Sequence, residues 1–600
     1  MIHEIDLIHH DGSGQYVKRV SSKEFEIELK VPKALGVERV VVRTVRDGEP
    51  VFVETSKQLR GQFEIYSATL RIHNPRTNYR WFLGGGRVKY GWLNQAGWQE
   101  TDISDVNDFV ITPFKQIPDW ARQSVVYQIF PDRFAKSNRD YELPTWAVPR
   151  NWNQWPEGAS ANTSFEYFGG DFWGVIERLD YLGDLGINTL YFTPFFRAGS
   201  IHRYDAATFD EVDPLLGGNE ALIALVEAAH KRGMKVIGDI TLNHSGATHE
   251  WFLKAKNGEQ PYRDFYTFDE ALPTGYECWL GVPSLPKFNY KSEALIERLI
   301  SGAGSVIRRW LRPPFNLDGW RVDVANMSGR LRDLDLTHQI ARLTRSAIEA
   351  EGNEKILIAE HNHDACLDLD GDGWHGNMNY TGFRNPIWNW LIQDSMSTFA
   401  PTKHGNFAKL NGAQAVRVIR EFSARQPFET YSASWNLLSS HDSARVRSMV
   451  GSHELHRLAI ALAITLPGTP MIFSGDEIGA QGMWGEDSRS PFPWGKESEW
   501  DLKILDLYKE LIKLRKGSKA LAFGGLQWLS IGENHLALLR EAKNERLLAV
   551  LARSKDSVSL PMEMLEMTQV EVLLGIKAQQ SGGNLTFNFE GPNFSIMRLL

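Results

Sequence analysis

The sequence predicts an α/β protein: a closed (β/α)8 barrel preceded by an N-terminal β-sandwich, carrying a small inserted subdomain after barrel strand 3, and followed by a C-terminal antiparallel β domain. Three observations predict it. From Ser124 to about Asp476, short apolar runs alternate with long helical patterns, which implies a parallel sheet with crossover helices. Ahead of that region apolar and charged residues alternate strictly, as in Phe25-Glu-Ile27-Glu-Leu29-Lys-Val31, the period of strands with one buried face. Beyond about Lys516 strand-like runs return without helical patterns between them.

In chain order, residues 1–112 read as the sandwich, with further strands at Val41 to Val45 and Tyr79 to Phe82 and a linker at Thr112-Pro113-Phe-Lys-Gln-Ile-Pro118. Residues 113–515 read as the barrel. Its strands are Val125 to Phe130, Thr189 to Phe192, Val236 to Asp239, Gly319 to Val322 and Ile356 to Ala359, with two late runs at Trp435 to Leu438 and Pro470 to Phe473. That brings the count to about eight, the number at which a parallel sheet of this length closes. Ala221 to Gly233, with its terminal glycine, and Ser292 to Leu311 supply crossover helices. Residues 245–290 are rich in glycine, proline and aromatics, lack a helical period and are too long for an ordinary loop, so they read as an inserted subdomain. Residues 516–600 read as the C-terminal domain, with strands at Leu536 to Arg540, Leu547 to Leu551, Val570 to Leu574 and Leu585 to Phe589.

Composition narrows the function classes. With 42% hydrophobic and 23% charged residues, neither disorder nor a fibrous structure is suggested. A net charge of -8 gives no footprint for nucleic acid or anionic lipid, so a neutral partner is expected. No apolar run reaches the roughly 20 residues of a membrane helix, and the start lacks a basic segment followed by an apolar one. The two cysteines, Cys278 and Cys366, are too few for a disulfide framework. These features predict a cytoplasmic protein. Most of the 20 tryptophans are expected in cores, with some rings free to pack on apolar sugar faces.

Four segments place carboxylates near the C-terminal ends of barrel strands, where the working residues of such barrels sit: Asp239-Ile-Thr-Leu-Asn243-His244, Gly319-Trp-Arg321-Val-Asp323, Ala359-Glu360 and Ser440-His441-Asp442. Glycosidic cleavage needs a carboxylate nucleophile, a carboxylic acid donor and polar groups that fix the sugar between them. Arg321 and Asp323 lie two apart on one strand, so they project to the same side, and Arg321 is expected to keep Asp323 ionised. Glu360 is the expected proton donor, and His441 and Asp442 are placed to grip sugar hydroxyls. A single acid or histidine at a strand end is more often structural; the ordered set carries the reading.

The same segments resemble the α-amylase superfamily of retaining glycoside hydrolases over nearly the whole chain. Supporting segments are Val126-Tyr-Gln-Ile-Phe-Pro-Asp-Arg-Phe134, Gly186 to Pro194, His202-Arg-Tyr204-Asp205 and Pro467 to Glu477. The resemblance implies Asp323 as nucleophile, Glu360 as general acid and base and Asp442 as transition-state stabiliser. It places His244, His441 and Arg321 in the same subsite, Tyr204 against its sugar, and Asp239 in support. Ser284-Leu-Pro-Lys287-Phe-Asn289 and the N-terminal β domain narrow it to the neopullulanase, cyclomaltodextrinase and maltodextrin glucosidase branch. Within that branch the chain is most similar to maltodextrin glucosidase, on Met378-Asn-Tyr380, Arg489 to Trp494 and Met327. Endo-acting amylases carry Lys and His where this chain has Asn326 and Met327.

The implied activity is hydrolysis of α-1,4-glucosidic bonds of short maltodextrins with release of glucose. The alternatives are a cyclomaltodextrinase or neopullulanase with transglycosylation and, more remotely, a non-catalytic sugar-binding homologue. The expected substrate is a maltodextrin or cyclodextrin. Members of this branch often pair, so a homodimer is the assembly to test. No cofactor is required. Asp368-Leu-Asp370-Gly-Asp372-Gly373 imitates the start of an EF-hand, but Asn379 stands at the twelfth position in place of Glu. The branch often binds calcium after the Asp-Arg-Phe motif; here Lys136 and Arg139 interrupt that stretch, leaving Asn138, Asp140 and Gly169-Gly170-Asp171. Structural calcium is therefore disfavoured. His9-His10 and His361-Asn-His363 lack ligand partners at convincing spacing, although His361 is placed to border the sugar beside Glu360.

Overall fold

Eight parallel strands form the central sheet of the computed structural model, which describes residues 4–114, 117–158, 160–397, 407–483 and 485–600. They are β1 (Val126–Ile129), β2 (Thr189–Phe192), β3 (Lys235–Thr241), β4 (Gly319–Asp323), β5 (Ile356–Ala359), β6 (Gly376–Asn377), β7 (Trp435–Leu437) and β8 (Thr469–Phe473). Hydrogen bonds link them in the order β6-β5-β4-β3-β2-β1-β8-β7. A single parallel bridge between Met378 and Trp435 closes the ring between β6 and β7. β1, β2, β4 and β5 are buried along their whole length, as strands of a parallel sheet covered on both faces must be, which explains their continuous apolar runs.

The crossovers follow the same logic. In the helix Gly218–Lys231, Ala221, Leu222, Leu225, Val226 and Ala229 are buried, one stripe at helical spacing that docks on the sheet. Gly233, at φ 72°, reverses the chain into β3. The continuous helix expected from Ser292 to Leu311 is instead broken into Glu293–Ile296, a wide turn over Glu297–Ser301, and Val306–Arg309. Gly302 and Gly304 lie at the break.

Residues 245–290 contain a helix, Glu250–Lys256, where no helical period was expected. The rest is irregular, tied by bridges Tyr266 to Phe288, Phe268 to Tyr276 and Cys278 to Pro286. The segment returns to the barrel through a bridge between His244 and Lys287, directly beyond β3.

The N-terminal strands form one sheet of four and one of six, closing on a core that includes Phe25, Ile27, Leu29, Val31, Tyr79 and Trp81. The C-terminal strands form antiparallel sheets of five and three around Leu539, Val550, Leu560, Phe587 and Met597. Lys115 and Gln116 of the expected linker lie outside the described residues. No helix among the described residues is long and apolar enough to cross a membrane.

Candidate active site

Strand register builds the site. β3 and β4 pair so that Asp239 lies level with Arg321 and Thr241 with Asp323, and β5 continues the ladder with Val322 level with Ala359. Asp239 therefore sits inside β3, two residues before its end, rather than at the end as the sequence suggested. Asp323 ends β4, and Glu360 follows β5 immediately. Asp442 lies five residues past β7 on a loop.

The Arg321 guanidinium, with no solvent exposure, joins three carboxylates. Its Nη1 lies 2.9 Å from both oxygens of Asp239 and 3.1 Å from Oδ1 of Asp323, and its Nη2 lies 3.1 Å from Oε2 of Glu360. Val324, directly after Asp323, takes the left-handed conformation at φ 36°, costly for a β-branched residue. This turn directs its amide to Glu360 Oε2 at 2.8 Å, so the backbone that follows one carboxylate anchors the other.

Charge here does not follow the simple expectation that Arg321 keeps Asp323 ionised. Burial pushes the Asp323 carboxyl well above the usual carboxylate range, the neighbouring Glu360 adds to this, and Arg321 only opposes it. One guanidinium cannot neutralise three buried carboxylates, and Asp323 is the one whose charged form burial and the adjacent Glu360 carboxylate most oppose. Asp239 is also raised by burial, countered by Arg321 and by the Tyr191 hydroxyl, which donates to Oδ2 at 2.7 Å.

On the facing rim, the surroundings of Asp442 oppose its ionisation, but His441 and Arg489 outweigh them and hold it well below the usual range. Asp442 Oδ2 lies 3.0 Å from His441 Nε2, and Arg489 Nη2 donates to Oδ1 at 3.3 Å. Gln128 donates to His441 Nδ1 at 2.7 Å, which leaves the hydrogen on Nε2, facing Asp442 and the Tyr204 oxygen at 2.8 Å. The Tyr204 hydroxyl donates to Asp239 Oδ2 at 3.0 Å and so joins the two rims. Its ring centroid lies 5.7 Å from that of His441, with the two ring planes nearly parallel at 11°. His244 contacts the Tyr204 backbone, and burial lowers its pKa to about 3, keeping its imidazole neutral.

All eight residues singled out from the sequence are thus joined in one network of contacts. Sequence reasoning missed Tyr191, Gln128 and Arg489, which orient Asp239, His441 and Asp442. Their partners lie 48, 313 and 47 residues away, and the signal that could have found them is the inward position of Tyr191 and Gln128 on β2 and β1. His361, directly after Glu360, is tied through Nε2 to Asp368 at 2.9 Å.

The acidic run beyond Glu360 is engaged by side chains, Asp370 by Arg76 and Asp372 by Arg342, each at 2.5 Å. Asp171, in the stretch where calcium was considered, accepts from Ser137 at 2.5 Å and Tyr141 at 2.9 Å through Oδ2, and from the Gly174 amide through Oδ1. No group of three or more His, Cys, Asp or Glu side chains among the described residues is arranged to hold a metal ion.

Two buried carboxyls bridged by one guanidinium, with a third, strongly ionised carboxylate opposite, are equipped to attack an electrophilic carbon, donate a proton to its leaving group and stabilise developing positive charge. Comparison with known proteins agrees with that chemistry. The family "Alpha amylase, catalytic domain" matches residues 128–499. The chain belongs to the α-amylase family. It is a glycosidase. Neopullulanase 2 of Thermoactinomyces vulgaris is 29% identical over 97% of each chain, and a cyclomaltodextrinase of Geobacillus thermopakistaniensis is 32% identical over 84% of this chain and 82% of its own. A solved cyclomaltodextrinase structure superposes with a TM-score of 0.74 at 25% identity, covering 99% of this chain and all of its own.

Proposed function

We propose that this glycosidase hydrolyses α-1,4-glucosidic bonds of short or cyclic maltodextrins with retention of configuration, in the manner of a cyclomaltodextrinase or neopullulanase. The observation that carries retention is the grip of one guanidinium on both Asp323 and Glu360. That placement suits the short carboxyl separation, about 5–5.5 Å, at which one carboxylate attacks the anomeric carbon directly. In the productive form Glu360 carries a proton and Asp323 is ionised. Asp323 then forms the bond to the anomeric carbon as Glu360 protonates the departing oxygen. Water, deprotonated by Glu360, later releases the sugar from Asp323. Asp442 and His441 hold sugar hydroxyls, and the negative charge of Asp442 opposes the positive charge that grows on the ring.

The named relatives act as the support for the substrate: a neopullulanase matched end to end and cyclomaltodextrinases in both sequence and structure. They weigh toward this reading over a maltodextrin glucosidase, the branch member that Met378-Asn-Tyr380, Arg489 to Trp494 and Met327 first suggested. Product analysis on maltotriose, a cyclodextrin and pullulan separates the two. Cyclodextrin opening with maltose or panose among the products is the expected result, whereas stepwise glucose release with cyclodextrin untouched would select the glucosidase. Asp323→Asn should fold normally and lose activity by roughly ten-thousandfold; turnover near that of the parent would overturn the assignment of the nucleophile.

A further inference from the structure

The loop after β4 and the inserted subdomain come from different parts of the barrel rim, yet one side chain joins them. Residues Arg330–Leu331 and Leu334–Asp335 pair as a short hairpin, with Arg332 and Asp333 at its turn. The Arg332 side chain leaves this turn and reaches the inserted subdomain, where Nε donates to Glu277 at 2.5 Å and Nη2 donates to Asp269. Both acceptors are themselves fixed. Asp269 takes the Ala271 amide at 3.0 Å, and the backbone of Glu277 is bonded to Thr267 on one side and Lys287 on the other, each at 2.9 Å.

Two features separate this contact from an ordinary surface ion pair. Arg332 adopts φ 55°, the left-handed region in which a side chain is strained and glycine is the natural occupant, so the turn carries a conformational cost for the sake of this side chain. The contact also continues inward: Glu277 bonds the backbone of Lys287, Lys287 bridges His244, and His244 lines the sugar cleft. At its other end the same hairpin follows Asn326 and Met327 and is tied back to them by Arg330, which donates to the Asn326 carbonyl.

We propose that Arg332 is a specificity-determining latch: by holding the hairpin after β4 against the inserted subdomain through Asp269 and Glu277, it narrows the rim of the site beside Asn326 and His244 and disfavours long α-glucan chains. It positions the walls of the cleft and touches no reacting atom. The substrate consequence rests on the function proposed above; the latch itself does not.

The test uses Arg332→Gly in the full chain, because glycine relieves the left-handed strain while removing the latch. The melting temperature should be unchanged or higher. Hydrogen exchange should rise in residues 266–280 and 329–335, and the ratio of kcat/KM on amylose to that on maltotriose should increase at least twofold. Glu277→Gln combined with Asp269→Asn should reproduce both changes. Arg332 is 46% exposed, so 1 M NaCl should screen the latch and move the parent ratio toward that of the variant, leaving the variant ratio fixed. Unchanged exchange, or a ratio that moves less than twofold, would overturn the latch. Increased exchange in a protein that hydrolyses neither substrate would leave the latch standing and instead remove the proposed function.

Discussion

Arg321 is the residue on which the site turns. Its five donors in a flat fork let it touch Asp239, Asp323 and Glu360 together, which a lysine ammonium on a flexible stem cannot do. Arg321→Lys should therefore lose at least about a hundredfold in kcat, since misplacing a reacting group by about 1 Å costs that much. It should also lower stability by roughly 1–3 kcal/mol, because the ammonium keeps the charge but leaves buried carboxylate oxygens without the hydrogen bonds the guanidinium gives them. Kinetics beside denaturant unfolding would check both, and wild-type kcat in a folded variant would refute the placement. At this scale the sequence spoke clearly about identity and poorly about charge. The spacing of Arg321 and Asp323 is local and readable, whereas the burial of Asp323 and the proximity of Glu360, 37 residues on, exist only after β4 and β5 pair, and burial first, with Glu360 adding to it, reverses the expected direction of the Asp323 shift.

At the scale of elements, the strands that carry the site are held to close tolerance. A Cβ on Gly319 would lie 2.3 Å from the carbonyl oxygen of Ile356, so β4 and β5 can lie side by side at that level only if the residue has no side chain. Gly319→Ala is expected to cost about 1–3 kcal/mol and to reduce kcat by pushing β4, and with it Asp323, out of register with Glu360. A thermal melt and steady-state kinetics on the one variant would decide it; unchanged values in both would show that the strands can yield. Elements with long apolar runs, such as β1, β2 and β5, were legible because burial on both faces demands them. β6 was not, because Gly376 and Asn377 pair through their backbone at a crowded seam and neither has the branched side chain by which a strand is recognised. The helical period from Ser292 to Leu311 was real, but periodicity does not register a local break at Gly302.

Across the whole molecule, acid is expected to weaken the fold through buried neutral histidines as well as through carboxylates. Burial lowers the pKa of His10 to about 4 and those of His244, His249 and His456 to about 3, from 6.5. Because the folded values are the depressed ones, the unfolded chain binds more protons below pH 6.5. Stability is then complete above that pH and falls as pH drops toward 3, by at most about 1.4 kcal/mol per pH unit for each histidine. His456 is fully buried with neither ring nitrogen hydrogen-bonded, and it lies outside the catalytic cleft. His456→Leu should flatten the fall in melting temperature between pH 6.5 and 4 while leaving kcat at neutral pH unchanged; an undiminished slope would remove His456 from the account.

The barrel ring has one join unlike the others. Asp323 and Glu360 stand on β4 and β5, neighbours in unbroken sheet, whereas the loop bearing His441 and Asp442 follows β7, across the seam that the Met378 to Trp435 bridge closes. A hoop flexes first at its most sparsely fastened join. The two carboxyls proposed to make and break the bond would keep their spacing through such breathing, and Asp442, proposed to hold the sugar, would be the one to give way, so that loosening the seam would trade hold on the substrate before it disturbed the chemistry.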